Sequence, residues 1–169
     1  SYAIQAGEQY EQSGLQDEYW YSRIHKTIAK CYSYCKEYDY DQKWEEQKKC
    51  NYLLLAERDA EGKPEEMQIE LWKEAAREYQ YVDQDAMEEV CYDRLFQILD
   101  PIRNQFPYRG FESYEQAASD QTDCYIRQKK WQQAGERILE LYGMLADYYG
   151  GMKSEEDIRQ SDWALQDKL

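Results

Sequence analysis

The chain has 169 residues, the length of one ordinary domain, and its 21 basic and 35 acidic side chains leave a net charge of −14. That charge repels phosphate backbones and anionic lipid, and no dense Lys/Arg cluster offsets it. No apolar run approaches the roughly 20 residues a bilayer span requires, so the expectation is neither nucleic-acid binding nor membrane contact by this segment.

A mean hydropathy of −1.07 reads as disorder on its own, but 18 Tyr and 5 Trp supply ring surface to bury, so a folded, soluble domain with a tyrosine-rich core is expected. Glu, Gln, Lys, Ala and Leu dominate, strict alternation of polarity is absent and β-branched residues are few, which predicts an all-α fold. Taken in chain order, the pattern predicts helices at about 2–13, 16–37, 40–59, 64–82, 84–99, 111–128, 130–149 and 154–166. Pro64 suits the first turn of its helix, with Glu65 and Glu66 beside it where the helix dipole favours negative charge; Ser154, Glu155, Glu156 and Asp157 make a similar start. Breaks are expected at Asp59–Pro64, at Asp100–Gly110 and at Gly150-Gly151, and tight turns at Tyr38–Asp41, Val82–Asp85 and Arg127–Lys130. Turns that short force antiparallel hairpins.

The hairpins repeat. Tyr34, Tyr79 and Tyr125 lie 45 and 46 residues apart, and three residues before each comes a small side chain, Cys31, Ala76 or Thr122. Nine residues after the anchors come Lys43, Glu88 and Ala134; thirteen after, Gln47, Tyr92 and Ile138; sixteen after, Cys50, Leu95 and Leu141. A small residue on the first helix lets the second approach, while the tyrosine and a later large residue fill the wedge between hairpins.

With Trp72, Ala75, Ala76, Tyr79, Tyr92 and Pro101 in the middle unit and Tyr125, Ala134 and Ile138 in the third, the pattern resembles the tetratricopeptide repeat family. Lys43, Gln47 and Glu88 depart from it. The period exceeds the family's usual length of about 34 and falls in the range of about 40–47 seen in HEAT and armadillo units, so another α-solenoid is the alternative; no proline-kinked first helix of the HEAT kind is found. The resemblance implies a single domain over 1–169, a right-handed α-solenoid of antiparallel hairpins with about seven or eight helices. A half-repeat would occupy 1–14, repeats about 16–60, 64–100 and 111–149, and a closing helix 154–167 would cover the last hairpin with Trp163 and Leu165.

In that family the first helices of successive hairpins line a concave groove. Carried over, the groove positions are His25, Ile28, Tyr32 and Cys35 in the first unit, Glu70, Lys73, Arg77 and Gln80 in the second, and Gln116, Ser119, Asp123 and Ile126 in the third. Lys73 and Arg77, four apart, form either a pair of donors for an anionic ligand group or ordinary partners of Glu70, Glu74 and Glu78 on their own helix. The Asn residues of the chaperone-tail clamp are missing. Tyr19, Tyr21, Tyr32, Tyr38, Tyr40, Tyr52, Tyr81 and Tyr108 exceed what three anchors need; most should substitute for Leu and Phe in packing between hairpins.

Catalysis is poorly supported. His25 is the only histidine, so His-rich metal centres are excluded, and no phosphate loop, nucleophile elbow or dinucleotide fingerprint occurs. Glu45/Glu46, Glu65/Glu66, Glu88/Glu89 and Glu155/Glu156 are adjacent pairs, which on a helix do not face one another. Cys31, Cys35, Cys50, Cys91 and Cys124 show no zinc-ribbon spacing and read as small packing residues of a reducing compartment. Ser1 to Gly14 lack the pattern of a secretion signal, so a cytoplasmic location is expected. The expected function is therefore a non-enzymatic module, without metal or cofactor, that takes a protein or peptide on its concave face, its acidic exterior favouring a basic partner. The alternative is a regulatory or sensor domain of a larger bacterial signalling protein that binds a short peptide or small ligand, as in the peptide-pheromone receptors built on such repeats.

Overall fold

The computed structural model describes residues 2–34, 40–102 and 111–150, with eight helices and no strand among them. The helices are α1 (Tyr2–Gln12), α2 (Glu18–Ser33), α3 (Tyr40–Lys48), α4 (Tyr52–Ala60), α5 (Glu65–Tyr81), α6 (Asp85–Ile102), α7 (Phe111–Arg127) and α8 (Trp131–Gly150). The all-α expectation holds; the helix expected at 154–166 lies outside the described residues. Three boundaries need correction. Pro64 is the residue before α5 and not its first helical one, its carbonyl accepting the Met67 and Gln68 N–H groups at 3.0 and 3.1 Å. α6 continues through Pro101 to Ile102, since a proline so near the end of a helix removes little of its hydrogen bonding.

The third correction concerns the helix expected over 40–59, which is two. Asn51 interrupts it: its Oδ1 accepts the Leu54 N–H at 3.0 Å and caps α4. Distant groups complete the break. Ser22 Oγ on α2 accepts the Asn51 N–H at 2.9 Å, and the Tyr79 hydroxyl on α5 accepts the Leu53 N–H at 3.0 Å. Burial pushes the Tyr79 phenol up to about 12. It therefore stays protonated and donates in turn to Asn51 Oδ1, 3.3 Å away.

By its contacts the chain divides into two compact units, Ser1–Ile98 and Leu99–Leu169. In the first, α2 packs against α1, α3 and α4, and α4 against α5. α1 lies close because Gly7 has no side chain; a Cβ there would stand 2.7 Å from Ile28 Cδ1. Tyr52 and Tyr79 meet edge to face, ring centroids 5.3 Å apart, and Leu55, Ala56, Ile69, Trp72, Ala75 and Ala76 are buried as well. In the second unit α7 packs along α8, with Tyr114, Ala117, Ala118, Cys124 and Ala134 buried.

The spacing of 46 residues has a backbone basis. Tyr79 and Tyr125 occupy the same place before the same turn: their carbonyls accept the N–H groups of Gln84 and Lys130, and the carbonyls of Gln80 and Ile126 accept those of Asp83 and Lys129. Asp83 and Lys129 take φ of 58° and 60°, the left-handed residue that ends a helix in this motif. Ala76 and Thr122 are both buried, as are Glu88 and Ala134. Tyr34 does not share this setting. It stands at the C-cap of α2 and is 78 % exposed, whereas Tyr79 is 2 % exposed and Tyr125 half-buried. Of the three regularly spaced tyrosines, Tyr79 is the fully buried one.

Replacing Tyr79 by Ala should destabilise the protein by roughly 3–5 kcal/mol, as a buried large-to-small change, and by Phe about 1 kcal/mol through the lost hydroxyl. The Tyr34→Ala change should stay within about 0.5 kcal/mol. Urea unfolding of the three variants measures the contrast.

Candidate functional site

α5 divides cleanly into two faces. Ile69, Trp72, Ala75, Ala76 and Tyr79 turn inward, and Lys73, Arg77 and Gln80 share an adjoining flank at intervals of four and three. Lys73 is 18 % exposed along its side chain and pairs with Glu70 at 3.4 Å; Arg77 and Gln80 are exposed. The acids expected to neutralise Arg77 on its own helix are taken by other elements. Glu74 pairs with Lys26 of α2 at 2.8 Å, and Glu78 accepts from Gln47 Nε2 of α3 at 2.7 Å. Arg77 has no ion pair among the described residues.

The first-unit groove positions are placed differently from expectation. His25 and Ile28 are 3 % and 4 % exposed and so are interior residues, not contacts open to a partner; Tyr32 is half-buried, and Cys35 lies outside the described residues. Carrying groove positions over from the repeat family assumes an open surface in front of the first helix. Here α1 and α3 pack against α2, with Gly7 abutting Ile28 and carboxylates from both helices reaching His25. On α7, Gln116, Asp123 and Ile126 are exposed and Ser119 is half-buried; Gln116 Nε2 donates to Asp120 at 2.7 Å.

The buried His25 gathers polar groups from neighbouring helices of the first unit. Its Nδ1–H donates to Glu46 Oε2, its Nε2 lies 3.6 Å from Glu11 Oε1, and the Tyr21 ring lies across it with centroids 4.3 Å apart. Glu46 also accepts from Lys49 Nζ at 2.7 Å. Burial alone would raise the Glu46 carboxyl, but the hydrogen bonds from Lys49 and His25 outweigh it and hold the group below the usual carboxylate range. Lys49 is correspondingly raised, chiefly by that bond to Glu46. A histidine six residues before Cys31 showed no such bracket in the sequence, because both carboxylates come from other helices.

A second polar cluster ties α2 to α4. The Tyr19 hydroxyl donates to Asp59 Oδ1 at 2.9 Å, Arg23 Nη1 reaches both Asp59 oxygens at 3.1 Å, and the Arg58 guanidinium stacks 4.8 Å above the Tyr19 ring. A groove of about 550 Å³ lies beside it, between α4, α5 and α6, with Trp72 in its lining and Arg58, Arg94, Glu57 and Glu61 around it. Arg94 is engaged by Glu57 at 3.5 Å, and Arg58 lies 4.0 Å from Asp17.

The cysteines described, Cys31, Cys50, Cys91 and Cys124, carry no disulfide. Burial pushes the thiols of Cys50 and Cys91 up to about 12, so both stay protonated and unreactive at neutral pH. Among the described residues no three His, Cys, Asp or Glu side chains converge as metal ligands, and no helix is long and apolar enough to cross a membrane. Comparison with protein-family models, curated proteins and solved structures found no match.

Glu46→Ala should cost roughly 1.5–3 kcal/mol at neutral pH, since it strands the buried His25 N–H and the Lys49 ammonium. Because the folded carboxyl is held low, the stabilisation is present above its ordinary value of 4.5 and lost as pH falls through the lower folded one. Urea unfolding of the pair should show the gap at pH 7 and its near closure at pH 3.

Proposed function

We propose that the chain is a non-enzymatic protein- or peptide-binding module, a solenoid of antiparallel helix hairpins similar to tetratricopeptide repeats, and that α5 presents its recognition surface. One observation carries the reading. The Lys26–Glu74 ion pair runs between α2 and α5, the first helices of consecutive expected hairpins, and leaves Arg77 facing solvent with no ion pair among the described residues. On a chain of net charge −14, an exposed guanidinium kept out of the surrounding ion pairs is suited to a carboxylate arriving from outside. Lys73 and Gln80 flank it as donors, and the half-buried Tyr32 on α2 adds ring surface. The matching turns after Tyr79 and Tyr125 support the repeat itself, and the resemblance extends the same role to Ser119, Asp123 and Ile126 on α7. His25 and Ile28 drop out of the contact set.

The partner segment this surface fits carries one carboxylate for Arg77 and basic side chains for the acidic surroundings. Selection of a displayed random-peptide library on the immobilised protein should enrich segments of that composition. Arg77→Glu should weaken the selected peptides by about tenfold or more, the scale of one charge-assisted contact, with helicity by circular dichroism unchanged. Absence of enrichment, or peptides indifferent to the reversal and to added salt, rejects the proposal.

A further inference from the structure

α1 is lightly held. Gly7 is its only buried residue, Tyr2 is almost fully exposed, and the helix end is tied down by the Tyr10 hydroxyl, which donates to the Asp17 carbonyl at 2.6 Å. An eleven-residue helix is too short to persist in water on its own propensity, so its docking on α2 decides whether it stays formed. From α1, Glu11 Oε1 reaches to within 3.6 Å of His25 Nε2.

That contact changes character with a single proton. His25 is buried, and its Nδ1–H is committed to Glu46. Nε2 has no hydrogen-bond partner among the described residues and points toward Glu11 Oε1 at 3.6 Å. In a neutral imidazole this arrangement sets a buried lone pair against a carboxylate oxygen, two acceptors with no hydrogen between them. In an imidazolium the same nitrogen carries an N–H, and attraction replaces the mismatch.

We infer that His25 couples the docking of α1 to proton uptake: the charged ring clamps Glu11, and with it α1, onto α2, and loss of the proton loosens the helix. The groups that face His25 are Glu11 from α1, Glu46 from α3, and Tyr21 from its own helix, with Lys49 and Cys50 just beyond α3. α4 also packs on α2, but it directs Arg58 and Asp59 to Asp17, Tyr19 and Arg23. Release of α1 uncovers Ile24 and Ile28, which sit 3.6 and 2.7 Å from where a Gly7 Cβ would be. The device therefore exposes an apolar flank of α2 as pH rises, independently of whether α5 binds a peptide.

Amide hydrogen exchange of the whole chain, followed by mass spectrometry and corrected for the intrinsic pH dependence of exchange, tests this directly. Protection of residues 2–12 at pH 5.5 should exceed that at pH 8 by about tenfold or more, with α5 protected equally at both. Substitution of His25 endangers the fold, so the decisive variant is Glu11→Gln, on a half-exposed side chain. Its amide donates to the neutral ring and accepts from the charged one, so protection of α1 should become independent of pH. Equal protection of wild-type α1 at the two pH values, a fall in acid, or an undiminished pH response in Glu11→Gln overturns the inference.

Discussion

Helix ends leave backbone N–H groups that must find acceptors, and this constraint organises the first unit around residues 50 to 54. There the chain stops one helix and starts another, and the acceptors that permit it come from three places at once: Asn51 locally, Ser22 on α2 and Tyr79 on α5. The junction pins α2, α4 and α5 to a common point. Tyr79 contributes twice, through a ring packed edge-on against Tyr52 and through a hydroxyl that both accepts and donates. A leucine would fill much of the same space and leave the Leu53 N–H without its acceptor. This explains the choice of a tyrosine at the most buried of the three regularly spaced positions.

Polar groups inside the first unit follow the same logic of mutual satisfaction. Gln47 reaches Glu78, Lys26 reaches Glu74, and Lys49 and His25 converge on Glu46. The Gln47, Lys26 and His25 contacts join one helix to another, and together they set which charges remain for solvent. Among the described residues Arg77 is exposed without a carboxylate, α2 and α3 having claimed Glu74 and Glu78 beside it. The distribution of charge on the surface is thus decided by packing beneath it.

Much of the architecture was legible in the sequence because it rests on local signals. Helix propensity and turn chemistry placed α1, α5, α6, α7 and α8 to within a few residues, and the turns after Tyr79 and Tyr125 recur at the spacing read from the chain. The split of residues 40–59 was missed although Asn51, a strong capping residue, was in plain view; the helical composition on both sides masked it, and Ser22 and Tyr79 are distant in sequence. Tyr34 fitted the numerical spacing and failed in space, because its place at the end of α2 differs from that of Tyr79 by the position of the cap. His25 and Ile28 were legible as helix residues but not as interior ones. Their burial depends on α1 and α3 closing over α2, and a position carried over from a repeat family contains no information about that. Lys73, Arg77 and Gln80 share a face of α5 as their spacing required.

The paired turns at Asp83 and Lys129 have one more consequence. Both residues sit in left-handed geometry that a side chain disfavours by about 1 kcal/mol relative to glycine. The molecule thus carries a small conformational tension twice, at exposed residues just past two helix ends. These corners are reserves of untapped stability: relaxing either one would firm the helix end that it follows.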